Sequence, residues 1–249
     1  MVIIAHASIG ENNTIKNGVA GDQTGKEVCK RSWYSKPWSC VIRFTDPEMR
    51  ECVAKCMEMA ADNNHIGYDQ NQRNTLLNKA RKYNYDVSKV AENCETDCSA
   101  LVSVACMYAG VPESALTLHG NCATTRTLRQ ILKATGEVDI FTTPLYTSRT
   151  EKLKRGDILL KEGSHVAVVV QSDNSNPYTL TRKEMREGAF GESVKWLQWS
   201  LNRHGANLTI DGIFGKQTKL SVLLFQKNKG LKQDGIVGSR TIAALNEDA

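Results

Sequence analysis

Cys98 is the residue of this sequence best placed to do chemistry. It follows Asp97 in "CETDCSALVSVAC", residues 94–106, a stretch that holds three cysteines. Asp97 or a neighbour caps a buried helix through Leu101, Val102, Val104, Ala105, Tyr108 and Ala109, and Gly110-Val111-Pro112 stops it. Cys98 then lies in the first turn, where unpaired amide N–H groups and the helix dipole stabilise a thiolate and lower its pKa. Cys106, two turns deeper on the apolar face, is a core thiol. A nucleophilic thiol needs a base. Among His6, His65, His119, His165 and His204, the best context belongs to His165. "LKRGDILLKEGSHVAVVV" reads as a Gly-Asp turn, a strand, a short loop and a second strand with His165 at its mouth. An imidazole there is held rigidly on one side and open on the other, as a general base requires.

Rival chemistries have less support. Cys52/Cys56 and Cys94/Cys98 share a C-x3-C spacing, and "HGNC" sets His119 near Cys122. A zinc site more typically shows C-x2-C or C-x4-C with a matching second knuckle. "PEMRECVAKCMEMAADN" reads instead as an amphipathic helix with Cys52, Val53, Cys56, Met57 and Ala60 on one buried face. Eight cysteines without a signal peptide do not argue for a disulfide framework.

The surrounding chain is that of a soluble globular protein, with 249 residues, 41% hydrophobic and 24% charged. No apolar run approaches the ~20 residues that span a bilayer, so no stable membrane insertion is expected. "MVIIAHASIG" reads as a strand rather than a signal peptide, which implies synthesis in the cytoplasm and export by another route. The net charge of +5 suits anionic surfaces in general. Its basic residues are scattered and aromatics reach only 6%, so no nucleic-acid pattern emerges.

The C-terminal end repeats itself: "TIDGIFGKQT" (209–218) and "KQDGIVGSRT" (232–241) share D-G-I-x-G-x-x-T. Each copy is a tight Asp-Gly turn running into a helix start. The amphipathic helices "ESVKWLQWSLNRHG" and "KLSVLLFQKNKGL" flank the first copy, which predicts a three-helix domain of about 60 residues. The polar stretch "SDNSNPYTLTRKEMREGAFG" (172–191) marks the seam. The expected division is a domain over 1–175, a linker over 176–189 and a helical domain over 190–249.

The C-terminal pattern of L-Q, D-G-x-F-G-x-x-T, F-Q and D-G-x-V-G-x-x-T resembles the peptidoglycan-binding domain 1 family. That resemblance implies attachment to bacterial cell-wall peptidoglycan. Upstream, Asp97-Cys98-Ser99-Ala100, then Gly156-Asp157-Ile158, then His165-Val166-Ala167-Val168 resemble the NlpC-type papain-like cell-wall peptidases. Ala100 and Ala167 stand where that family has glycines, and Arg155 where it has a proline. The resemblance implies an α+β, papain-like catalytic domain followed by the small three-helix domain. It implies Cys98 as nucleophile, His165 as base, and Tyr68, Asp97 and Ser99 close to substrate. No metal or organic cofactor is implied.

The family's third catalytic residue usually follows the histidine strand. Asn176 and Glu184 are the available candidates there, and neither is assigned. The first 45 residues do not fit the family's core and read as a substrate-lining loop. His6, Asp22 and Gln23 could approach Cys98 from it, with Asp22 binding a peptide amine. The expected function is cleavage of an amide in the wall's stem peptide by an endolysin-like hydrolase acting after release during phage lysis. An N-acetylmuramoyl-L-alanine amidase using the same Cys–His pair, a silent wall-binding protein and a zinc-bound structural protein are the alternatives.

Overall fold

The computed structural model describes residues 1–172, 176 and 178–246. Strands β1 (Ile3–Ala7), β2 (Val28–Ser32) and β3 (Cys40–Phe44) come first and lead into helix α1 (Pro47–Ala61). Strand β4 (Ile66–Tyr68), helix α2 (Thr75–Ala80) and strand β5 (Cys94–Thr96) precede α3 (Cys98–Tyr108). A short α4 (Glu113–Leu116), strands β6 (Thr117–Leu118) and β7 (Asn121–Cys122), and α5 (Leu128–Ala134) follow. Strand β8 (Val138–Phe141), helix α6 (Pro144–Thr147), strand β9 (Ile158–Lys161) and strand β10 (His165–Gln171) complete this part of the chain. Chain contacts divide the molecule into two compact units, Met1–Asp173 and Asn174–Ala249.

The first unit is α+β, built on an antiparallel six-stranded sheet in the order β2-β1-β10-β9-β3-β8. The apolar run of β10 reflects burial on both faces. Val166, Val168 and Val170 join the core that includes α1 and α3, while Ala167 and Val169 face Val2, Ile4, Trp38, Val41 and Leu159. The first 45 residues are thus not a loop laid over a finished core. They supply three of the six strands, and β1 pairs directly with β10. The partner of β10 on this side is the N-terminal β1 rather than a segment that follows β10 in the chain.

Helix α1 starts at Pro47 after the cap Asp46, whose side chain accepts from Glu48 N–H. Val53, Ala54, Cys56, Met57 and Ala60 form its buried face. Cys52 is only half-buried and sits at the margin of that face, not within it as expected.

The Gly-Asp turn before β9 has a structural role. Gly156 has φ +86°, and a Cβ there would collide with the Arg50 carbonyl. Asp157 is fully buried and bidentate with Arg43, at 2.6 and 2.7 Å, while Lys154 N–H donates to it at 2.8 Å. Arg155, in the position of the family's proline, reaches Glu51 and Glu58 on α1 and the Val170 carbonyl. It fastens the turn to helix and strand together.

Arg43→Ala leaves the Asp157 carboxylate buried without its partner, which costs about 3–5 kcal/mol. The expected result is a urea midpoint for the first unit well below wild type, with Arg43→Lys recovering part of the loss. An unchanged midpoint would show that the pair does not hold the turn.

In the second unit α7 (Glu192–Arg203), α8 (Lys216–Asn228) and α9 (Ser239–Asn246) surround Val194, Leu197, Leu201, Phe214, Val222, Phe225 and Leu245. The stretch expected as a linker belongs to this unit. Met185 is in its core, with Tyr178, Leu180 and Ala189 packed against it, and Met185 bridges Val237. Of the unit's first residues, 174, 175 and 177 lie outside the described set.

The sequence repeat becomes a duplicated clasp. Buried Gln198 donates to Asp211 Oδ1 (2.7 Å) and Ile213 O (3.1 Å) and accepts from Gly212 N–H (2.8 Å). Gln226 does the same with Asp234 (3.1 Å), Ile236 (2.9 Å) and Gly235 (3.0 Å). Gly212 and Gly235 have φ +78° and +69°, the left-handed turn that a side chain would strain. Each D-G-I motif is therefore held by the glutamine of the helix before it.

Candidate active site

Cys98 is the first residue of α3 and is 6% exposed. The apolar residues of α3 fix the helix against the sheet, and Asp97 fixes where it begins. The Asp97 carboxylate accepts from Ser99 N–H (2.9 Å) and Ala100 N–H (2.7 Å), a complete N-cap. The backbone N–H groups of Val166 and Ser99 lie near enough to the Cys98 thiol to favour its thiolate form. Val166 directly follows His165, so the thiol meets β10 at the strand mouth where the imidazole emerges.

His165 is 8% exposed and does not stand alone. Its Nε2 lies 2.9 Å from His6 Nδ1, the two rings meeting edge to face with centroids 5.1 Å apart. The Trp38 indole stacks on its other side at 6.3 Å and 29°. His6 was expected only as one of several loop residues that could approach Cys98. It is instead a strand residue of β1, directed onto His165 because β1 is hydrogen-bonded beside β10. A detectable signal was present: a histidine inside the otherwise apolar "IIAHA" must find a polar partner once buried. Asn176 and Glu184 are not in this position. Asn176 donates to Trp196 O and Ser200 Oγ of the second unit, and Glu184 is exposed there.

The electrostatics reverse one expectation. Burial, reinforced by the Asp97 carboxylate, pushes the Cys98 thiol up to about 12 despite the N–H groups of Val166 and Ser99 that favour the thiolate. Helix position alone would have lowered it. Burial also brings His165 down to about 3, with His6, Lys36 and Arg31 adding to the fall. His6 is lowered to about 4 by burial, then by Arg31 and Lys36. Thiol and both imidazoles are therefore neutral at physiological pH.

The remaining expected site residues divide. Tyr68, at the end of β4, is buried, and its hydroxyl accepts from Gln70 Nε2 at 3.1 Å. Burial raises it to about 12, with Cys98 among its charged-state neighbours. Tyr68 and Cys98 belong to the same buried core. Asp97 and Ser99 are used structurally. Arg73 contacts Asp97 at 2.5 and 3.1 Å and donates to Ser99 Oγ (3.0 Å), which in turn donates to Asp97 (3.0 Å).

Asp22 does not offer a carboxylate to an amine. Its oxygens accept from the backbone N–H groups of Thr24, Gly25, Lys26, Glu27 and Val28 and shape their own loop. Gln23 turns back to the Ala20 and Gly21 carbonyls. Among the described residues no group of three or more His, Cys, Asp or Glu could hold a metal ion. No described helix is long and apolar enough to cross a membrane.

With this geometry in place, the endolysin-like domain family matches residues 4–176, most of the chain. The chain belongs to the endolysin-like domain family. Residues 190–245 match the putative peptidoglycan binding domain family. Similar curated proteins are the zinc D-Ala-D-Ala carboxypeptidase of Streptomyces albus G and the spore cortex-lytic enzyme of Oceanobacillus iheyensis. The first is 45% identical over 60 residues, 23% of this chain and 24% of its own. The second is 35% identical over 85 residues, 34% of this chain and 31% of its own. The chain thus spans a quarter to a third of these relatives.

Among solved structures, the Burkholderia AP3 phage endolysin is 41% identical over 26% of this chain and 25% of its own, with a TM-score of 0.26. A fused Zn-dependent amidase/peptidase/peptidoglycan-binding protein of Clostridium acetobutylicum is 36% identical over 27% and 30%, with a TM-score of 0.27. Scores this low carry no argument about the fold of the endolysin-like unit.

Proposed function

We propose that this chain is a peptidoglycan hydrolase that cuts an amide of the wall's stem peptide with Cys98 as nucleophile and His165 as general base. The observation that carries the reading is that Cys98 opens α3 and His165 opens β10, with the Val166 N–H next to His165 near enough to the thiol to favour its thiolate form. This cysteine-at-helix-start, histidine-at-strand-start arrangement supports a papain-like mechanism.

His6 orients the base. With His165 Nε2–H donating to His6 Nδ1, the lone pair on His165 Nδ1 is free to take the thiol proton. As that proton moves, Sγ attacks the amide carbon and the carbonyl oxygen becomes an oxyanion. The Cys98 N–H, in the first helical turn without an intrahelical acceptor, is a donor for it. Collapse returns the proton from Nδ1 to the leaving nitrogen, breaks the C–N bond and leaves a thioester. Water, deprotonated by His165, then releases the acid and restores the thiol. The second unit holds the enzyme on its insoluble substrate, which raises the local substrate concentration.

Digestion of purified walls by the full chain, followed by mass spectrometry, tests this. New amino termini within the stem peptide are expected, in a reaction abolished by Cys98→Ala and indifferent to EDTA. Products carrying free lactyl-muramic acid would move the cut to the amide joining glycan and peptide. Loss of all activity with EDTA would overturn the cysteine mechanism.

A further inference from the structure

Beside the paired histidines lies a wall rich in donors and poor in acceptors. Arg31 on β2 is opposite Ile4 of β1, two residues from His6 and so on the same face of the sheet. Its guanidinium lies 4.7 Å from the Tyr34 ring centre, and the Tyr34 ring is 6.4 Å from His6 and 5.9 Å from Trp38. Lys36 is tied to the same wall, its carbonyl accepting from Trp38 N–H at 2.5 Å. Trp38 in turn stacks on His165.

The other side chains of this wall point the same way. Among the described residues neither Arg31 nor Lys36 has a carboxylate partner, while most other arginines near the core do. Two buried nitrogens of the same wall, Trp38 Nε1 and His6 Nε2, also lack an acceptor. The positive charge reaches the paired histidines: burial is the main reason they stay neutral, and Arg31 and Lys36 add to it. A peptide carboxylate bound here would complement that charge, whereas a peptide amine would be repelled.

We propose that Arg31 and Lys36 form a carboxylate-recognising rim of the active site, selecting stem peptides with a free carboxylate near the scissile amide over their carboxamide counterparts. The proposal rests on the Cys98–His165 reading. It replaces the amine-binding role expected of Asp22 with recognition of the opposite charge by the neighbouring strand.

The test uses the full chain and two soluble synthetic stem peptides that differ only in carboxylate against carboxamide. A charge-assisted hydrogen bond predicts a preference in kcat/KM of about tenfold or more for the carboxylate, carried mainly by KM and weakened by salt. In an Arg31→Gln/Lys36→Gln double variant the preference should shrink to within about twofold, the loss falling far more on the carboxylate peptide than on the carboxamide. The low-pH limb of its profile should move upward, because the cations no longer help burial to hold His165 neutral. Equal cleavage of the two peptides by wild type, or an equal loss on both in the double variant, overturns the inference while leaving the mechanism standing. Cleavage of neither peptide by a wild-type chain that also leaves walls intact overturns both.

Discussion

Cys98→Ala is expected to reduce hydrolysis of purified walls by roughly three to six orders of magnitude, the range for loss of a nucleophile that acts as a unit with its base. Binding to walls should be unchanged, because the duplicated glutamine clasps and the core of the second unit contain no part of the site. The substitution removes one sulfur from a helix terminus whose cap, Asp97, makes its bonds to Ser99 and Ala100 rather than to Cys98. Folding should therefore be close to wild type. The measurements are release of soluble muropeptides and a wall pull-down with the same preparation. Wild-type release by this variant removes Cys98 from the mechanism, and loss of the pull-down would tie wall attachment to the catalytic unit.

The second large effect concerns His165. His165→Ala should slow hydrolysis by roughly 10²–10⁴-fold, the usual contribution of a positioned base. His6→Ala should lower kcat more than it raises KM, since it leaves the base present but unoriented. His6→Asn, which keeps a hydrogen-bonding group, should recover part of the loss.

Proton linkage gives an independent readout. An unfolded histidine titrates near 6.5, whereas His165 is lowered to about 3 and His6 to about 4 in the fold. As pH falls through 6.5 the unfolded chain takes up protons that the folded one refuses, so stability is full above that value and declines below it. The slope approaches about 1.4 kcal/mol per pH unit for each histidine. His165→Ala should remove one such contribution, so that the variant loses less stability than wild type between pH 6.5 and 4.5. Parallel denaturation curves for the two proteins across that interval would show that His165 is not buried neutral. Wild-type catalysis, by contrast, should persist well below pH 6.5, because the base remains unprotonated until the fold itself fails.

Local pattern located Cys98 at a helix start and His165 at a strand mouth, and little beyond them. A capping aspartate before an apolar run locates the α3 start, and a polar ring before "VAVVV" locates the mouth of β10, because both signals lie within a few residues. The D-G-I repeat located the turns of the second unit for the same reason. His6 was not assignable in this way, since its partner is 159 positions away and only strand order brings them together. Asp22 looked like a free carboxylate because a sequence does not display which backbone N–H groups will converge on it. The thiol's pKa was misjudged from the helix terminus because burial, a tertiary property, outweighs the dipole at that site. Tyr178, Leu180 and Met185 read as linker because apolar residues spaced among charges show no helical or strand period, although they pack against a core.

The neighbouring positions of β1 and β10 in the sheet have a consequence for biosynthesis. These are the first and last strands of the first unit, and His6 rides on one while His165 rides on the other. A chain emerging from the ribosome exposes Cys98 long before residues 165–171 exist to meet it. Pairing so remote in sequence is also slow to form, because the whole intervening loop must be closed first. A prematurely terminated chain carries a thiol without a base, and a chain clipped beyond His6 carries a base without its guide. On the Cys98–His165 reading, activity arises only once both strands are made and paired, and fragments lacking either strand would be inactive.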